Sequence, residues 1–117
     1  MPVRVTNKTR ATVLADQAAV ATSFFARLKG LLGRPALPPG GGLHLDPCNS
    51  IHTFFMRFPI DVVFLDSECR VVELSLGLRP WHLAGAYPTA RSALELPAGV
   101  VAATDTKIGD LLTLESV

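Results

Sequence analysis

Apolar and polar positions change rhythm several times along the chain, and each change predicts an element. The opening "VRVTNKTRATVL" alternates around a polar centre, "TNKTR", which predicts two short strands joined by a hairpin turn. From Thr22 the period lengthens. Thr22 or Ser23 suits an N-cap, Phe24, Leu28 and Leu31 recur at helical spacing beside Phe25 and Leu32, and Gly33 before Arg34 and Pro35 suits a C-terminus. An amphipathic helix over about residues 23–32 follows. "PALPPGGG" can neither continue a helix nor enter a central strand, so it is a loop. "GLHL" resumes extended structure until Pro47 interrupts it.

The second half is more sharply marked. "IDVVFLD" is almost unbroken in its apolarity, which predicts a strand covered on both faces, and "DSEC" turns it back into "RVVELSL". "LGLRPWHLAGAYPT", punctuated by Gly and Pro, reads as a long loop carrying Trp81, His82 and Tyr87. "ARSALEL" is a strand, "PAGVVAATDTKIGD" a turn with room for one helical turn, and "LLTLE" a final strand. Six to eight short strands and one helix predict a mainly β member of the α+β class, a compact, partly closed barrel or sandwich formed as one domain from residues 1–117.

Composition narrows the function classes. A chain of 117 residues can bury roughly two thirds of the surface its unfolded form exposes. With 49% apolar and 18% charged residues it is too hydrophobic for disorder, and its low charge leaves room for a face covered by a partner or lying beside a membrane. The longest apolar runs fall far short of the roughly 20 residues that span a bilayer, and "MPVRVTNKTR" lacks the apolar core of a secretory leader, so a cytoplasmic protein is expected. The net charge is +1 and the 11 Lys and Arg are scattered, which gives no field to attract nucleic acid. Cys48 and Cys69 are expected to be free thiols rather than a disulfide framework.

The stretch "CNSIHTFFMRFPID" carries most of the candidate chemistry. His44, Cys48 and His52 are the right types to ligate zinc, but in an extended chain residues four apart lie about 13 Å from one another, so no bound metal is expected. Cys48 and His52 can also be read as a thiol nucleophile and its base, with Asn49, Ser50 and Thr53 orienting the imidazole or facing an oxyanion. The plainer reading is a buried thiol and a hydrogen-bonded histidine. Phe54, Met56 and Phe58 on one side and Phe55 on the other suit entry into a core, or else a pocket wall with Arg57 at its lip. Asp61 and Glu95 stand among apolar neighbours, which predicts a hydrogen-bonded or ionic partner for each, a structural ion pair before acid/base catalysis. Arg27 and Arg34 are seven apart and can share one helix face, where they would clamp an anion or cap the helix end. No short signature of a nucleotide-binding loop, zinc protease or serine hydrolase is present.

Taken in order, "RLKGLLGR", "GLHLDPCNSIHTFFMRFPIDVVFLD", the returning "RVVEL", "SALELPAG" and the late "IGD" resemble the DUF192 family, a group of small prokaryotic domains of unknown function, from about Arg27 to Leu114. The positions that match its pattern are Arg27, Gly30, Leu31, Arg34, Met56, Ile60, Asp61, Phe64, Glu95, Gly99, Gly109 and Asp110. The resemblance implies a compact β-rich domain and supplies no catalytic residue; many relatives look exported or membrane-tethered, whereas no leader is expected here. The first expectation is a non-catalytic small-ligand-binding or accessory domain without a cofactor. Its site would form where the Cys48–Met56 loop meets the Arg27–Arg34 helix and the Trp81–Tyr87 loop, with Arg27, Arg34, Ser50, His52, Met56, Arg57, Asp61 and Trp81 as binding residues for a sugar or a carboxylate. The alternatives are a small hydrolase or transferase using Cys48 and His52, and an assembly partner of another protein.

Overall fold

A computed structural model describes residues 2–23, 26–27, 31 and 34–117. Among these residues the chain forms nine strands and one short helix: β1 (Val3–Asn7), β2 (Thr12–Ala21), β3 (Gly41–Leu45), β4 (Ser50–His52), β5 (Ile60–Leu65), β6 (Val71–Leu78), β7 (Leu83–Gly85), β8 (Ser92–Pro97), α1 (Val100–Ala103) and β9 (Leu112–Ser116). Seven strands make one sheet in the order β6-β5-β8-β3-β2-β1-β9, while β4 and β7 pair as a separate two-stranded ribbon. Only β2 and β3 run parallel. The large sheet curls until its outermost strands meet at one end. There Arg70 bridges Leu111, the Val71 N–H donates to the Asp110 carbonyl at 2.8 Å and the Leu112 N–H to the Cys69 carbonyl at 2.9 Å. The result is the partly closed, mainly β architecture that the strand pattern predicts, because meeting edges leave fewer ladder groups unpaired.

β5 explains how the curl is filled. All six of its residues are buried, as the unbroken apolar run predicts. By strand alternation Val63 and Leu65 face a cluster with Val5, Leu14, Leu94, Leu96 and Val101, while Ile60, Val62 and Phe64 face a second cluster with Leu43, Leu45, Ile51, Met56 and Ala93. Two cores therefore flank one sheet, and the loop after β3 is held down as the lid of the second.

Three details depart from the pattern. β2 extends to Ala21, longer than a hairpin arm, because its far half pairs with β3. The extra strands β4 and β7 arise inside stretches that read as loops; each is only three residues long, too short to show a period. The helix expected over about 23–32 falls largely outside the described residues, though at its start the Ala26 N–H donates to the Ser23 hydroxyl at 3.1 Å and the Arg27 N–H to the Ser23 carbonyl at 3.0 Å. That is the bonding of a capped first turn. α1 is the single helical turn expected after "PAG".

Candidate functional site

The site is built where two loops clasp each other through Thr53. This residue is fully buried; its N–H donates to the His82 carbonyl at 2.9 Å, its hydroxyl accepts from the His82 N–H at 2.9 Å and donates to the Arg79 carbonyl, and its own carbonyl accepts from the Trp81 N–H at 3.0 Å. Every polar group of one small side chain and its peptide is thus spent on joining the turn after β4 to the turn before β7. Next to the clasp, β4 and β7 pair in the register Ser50 with Gly85, Ile51 with Ala84 and His52 with Leu83. Gly85 is required there: at φ 127° it occupies backbone space closed to other residues, and a Cβ would collide with Ser50 Cα. Tyr87 anchors the far end of this loop, its ring edge-on to Phe64 at 5.0 Å.

A hollow of about 400 Å³ opens against the ribbon, lined by Ser50, Ile51, His52, Leu83, Ala84, Gly85 and Ala86. No Asp, Glu, Lys or Arg is among these lining residues. From His52 a row of rings leads away, His52 to Phe54 at 5.2 Å, Phe54 to Trp81 at 5.9 Å and Trp81 to Phe55 at 4.6 Å between centroids. Phe55 and Trp81 sit in the two clasped turns with φ of 67° and 69°. A left-handed backbone costs a bulky residue about 1–2 kcal/mol, so the clasp holds both rings in a conformation that local sequence would not choose.

The remaining expected site residues separate. Met56 is buried in the second core. Asp61 is 2% exposed and points to the opposite side of β5, where its carboxylate accepts the Gly77 N–H at 2.9 Å and the Gly99 and Val101 N–H groups at 3.0 Å each. It joins α1 to the sheet, and of the hydrogen-bonded or ionic partners left open by the sequence it takes backbone amides. Arg27 reaches the entry to the loop, where its guanidinium donates to the Pro47 carbonyl at 3.3 Å. Arg34 and Arg57 are exposed, and neither forms an ion pair among the described residues. The stretch between Arg27 and Arg34 lies mostly outside those residues, so of the three segments expected to meet, the two joined by Thr53 do so plainly.

Cys48 is half-buried against the second core. Its thiol donates to the Ser50 carbonyl at 3.0 Å, and burial pushes its pKa up. Cys48 and Cys69 are free thiols. His44 alternates with Leu43 and Leu45 on β3 and so faces away from the core against which Cys48 packs, which separates it from Cys48 and His52 across the sheet. Burial lowers the pKa of His44.

Glu95 corrects the sequence reading. It is 3% exposed on β8 between Leu43 and Val62, its Oε1 has no hydrogen-bond partner among the described residues, and it forms no ion pair there. Burial pushes its carboxyl up to about 7. Periodicity marks this residue as awkward, but only the register of three strands shows that its cross-strand neighbours are Leu43 and Val62.

Sequence and fold comparisons agree with one another. Residues 3–114 match the model of DUF192, a family described as "Uncharacterized ACR". A UPF0127 protein of Thermococcus sibiricus is 36% identical over 117 residues, covering 93% of this chain and 73% of the relative. The UPF0127 protein PH1112 of Pyrococcus horikoshii is 32% identical over 111 residues, 91% of this chain and 94% of the relative. A crystal structure of a protein of unknown function from Novosphingobium aromaticivorans superposes with a TM-score of 0.83 at 22% identity, covering 97% of this chain and 84% of that one. A protein from Sinorhizobium meliloti gives the same score at 21% identity over 96% and 91%. With a family match spanning nearly the whole chain and the expected half-barrel beneath it, the chain belongs to the DUF192 family.

Proposed function

We propose that this chain is a non-catalytic binding domain that takes a small neutral ring compound, such as a sugar, in the hollow along the β4–β7 ribbon. The observation that carries the reading is the row of rings that starts at His52, in the lining of that hollow, and continues outward through Phe54 to Trp81. Aromatic faces cover the apolar face of a ring, and the Ser50 hydroxyl and ribbon peptides can serve its polar edge. The absence of Arg, Lys, Asp and Glu from the lining favours a neutral ligand over the carboxylate also considered from sequence. The half-buried thiol of Cys48, bonded to a carbonyl and with its pKa raised, supports binding rather than thiol catalysis.

Trp81 is the only tryptophan of the chain and reports on its own site. Titration with a panel of neutral mono- and oligosaccharides should change its emission saturably. Phe54→Ala should weaken binding by about three- to tenfold through the lost ring contact. Emission that no saccharide alters, in protein shown by its melting curve to be folded, would refute the proposal.

A further inference from the structure

The clasp also leaves large apolar side chains open to solvent, and these ask for a second occupant. Phe55 is 69% exposed, Trp81 58% and Leu83 72%. Phe55 and Trp81 stand in adjacent turns with their rings in contact, and Leu83 follows in the strand leaving the second turn. Rings carried on turns project as a convex ridge. Such a shape suits penetration of a soft interface better than the matched packing of a rigid protein partner.

The two stretches that carry the ridge hold formal charge of one sign. Residues 47–60 and 74–92 contain no Asp or Glu, so all ten acidic residues of the chain lie elsewhere, while the two stretches carry Arg57, Arg79 and Arg91. Arg91 is engaged by Asp46 at 3.6 Å. Arg57 and Arg79 are exposed, have no ion-pair partner among the described residues, and each stands two positions from a ridge aromatic. Trp and Phe flanked by unpaired arginines are the composition of a surface that settles at the headgroup level of a bilayer.

The geometry points to peripheral docking on an anionic lipid bilayer, with Phe55, Trp81 and Leu83 entering the interface and Arg57 and Arg79 meeting lipid phosphates. This inference shares Trp81 and Leu83 with the surroundings of the hollow but needs neither Ser50 nor the ribbon peptides, so vesicle binding can fail or succeed whatever saccharides do.

Vesicles of phosphatidylcholine, with and without phosphatidylglycerol, test it on the full chain. Partitioning is followed by co-sedimentation and by the emission of Trp81, which should shift to the blue as the indole leaves water. Two arginines at a charged surface predict binding about thirtyfold stronger on the anionic vesicles at low salt, declining as salt screens the surface. Arg57→Ser with Arg79→Ser should remove that preference, and Phe55→Ser should weaken binding to both kinds of vesicle. All three positions are exposed, and melting curves verify that the variants fold. Equal affinity for neutral and anionic vesicles overturns the proposal, as does a preference that survives loss of both arginines. Concentration-dependent self-association lost in Phe55→Ser, without vesicle binding, overturns it in favour of a second copy of the chain. Binding of an acidic peptide without vesicle binding overturns it in favour of a protein.

Discussion

Replacing Glu95 with Gln should stabilise this protein at pH 8 and do almost nothing at pH 4.5. The carboxyl lies 3% exposed between Leu43 on β3 and Val62 on β5, and burial raises its pKa from an ordinary 4.5 to about 7. A folded-state pKa above the unfolded value means that the folded chain holds the proton more tightly. Stability from this group is therefore full below about pH 4.5, declines as pH rises towards 7, and is gone above it. The interval between the two values corresponds to about 3 kcal/mol, the cost of keeping a bare carboxylate in the second core at alkaline pH. Gln has nearly the same shape and no charge, so it avoids that cost. The assay is urea unfolding followed by circular dichroism at several values between pH 4.5 and 8, with the result expressed as Glu95→Gln minus the parent. The subtraction matters because His44, whose pKa burial lowers, loses stability as pH falls and tilts the parent curve the opposite way. A difference that is flat with pH, or a variant less stable than the parent at pH 8, would refute the reasoning and require a cation beside Glu95.

Other residues make further claims. Asp61→Ala strands three backbone N–H groups between β5, β6 and α1, and should lower stability by about 2–4 kcal/mol, read from the shift of the urea midpoint. In a Cys69→Ser background, Cys48 should alkylate more slowly than the unfolded chain at pH 8 and be indifferent to His52→Ala; rapid alkylation that depends on His52 would restore the hydrolase reading. Gly85→Ala should part the β4–β7 ribbon at Ser50 and abolish any saccharide response of Trp81 while the seven-stranded sheet persists by circular dichroism. Thr53→Val keeps the volume but removes the hydroxyl from the clasp, and should cost about 1–3 kcal/mol in a melt and weaken saccharide binding with it.

Much of the β framework was legible in the sequence because hydrophobic period is a local property. The run "IDVVFLD" declares a strand with two covered faces, and β5 is buried throughout. Gly and Pro punctuate the chain wherever the backbone must turn, so the hairpin of β5 and β6 and the lone turn of α1 fall where they were expected. The blocks around Met56, Asp61 and Glu95 were enough to suggest the family. Tertiary structure decided everything that depends on which strands become neighbours. Asp61 and Glu95 look alike in sequence, each a lone acid in an apolar strand, yet one receives three amides from α1 and β6 while the other faces Leu43 and Val62. Alternation fixes only the side of the sheet; the partner comes from register across a long loop, and no local period encodes it. The same holds for Trp81, which lies 26 positions from Phe55 and reaches it only because Thr53 ties the two turns together. Local pattern supplied the strands, and closure of the sheet with a single buried threonine chose which side chains could form a site.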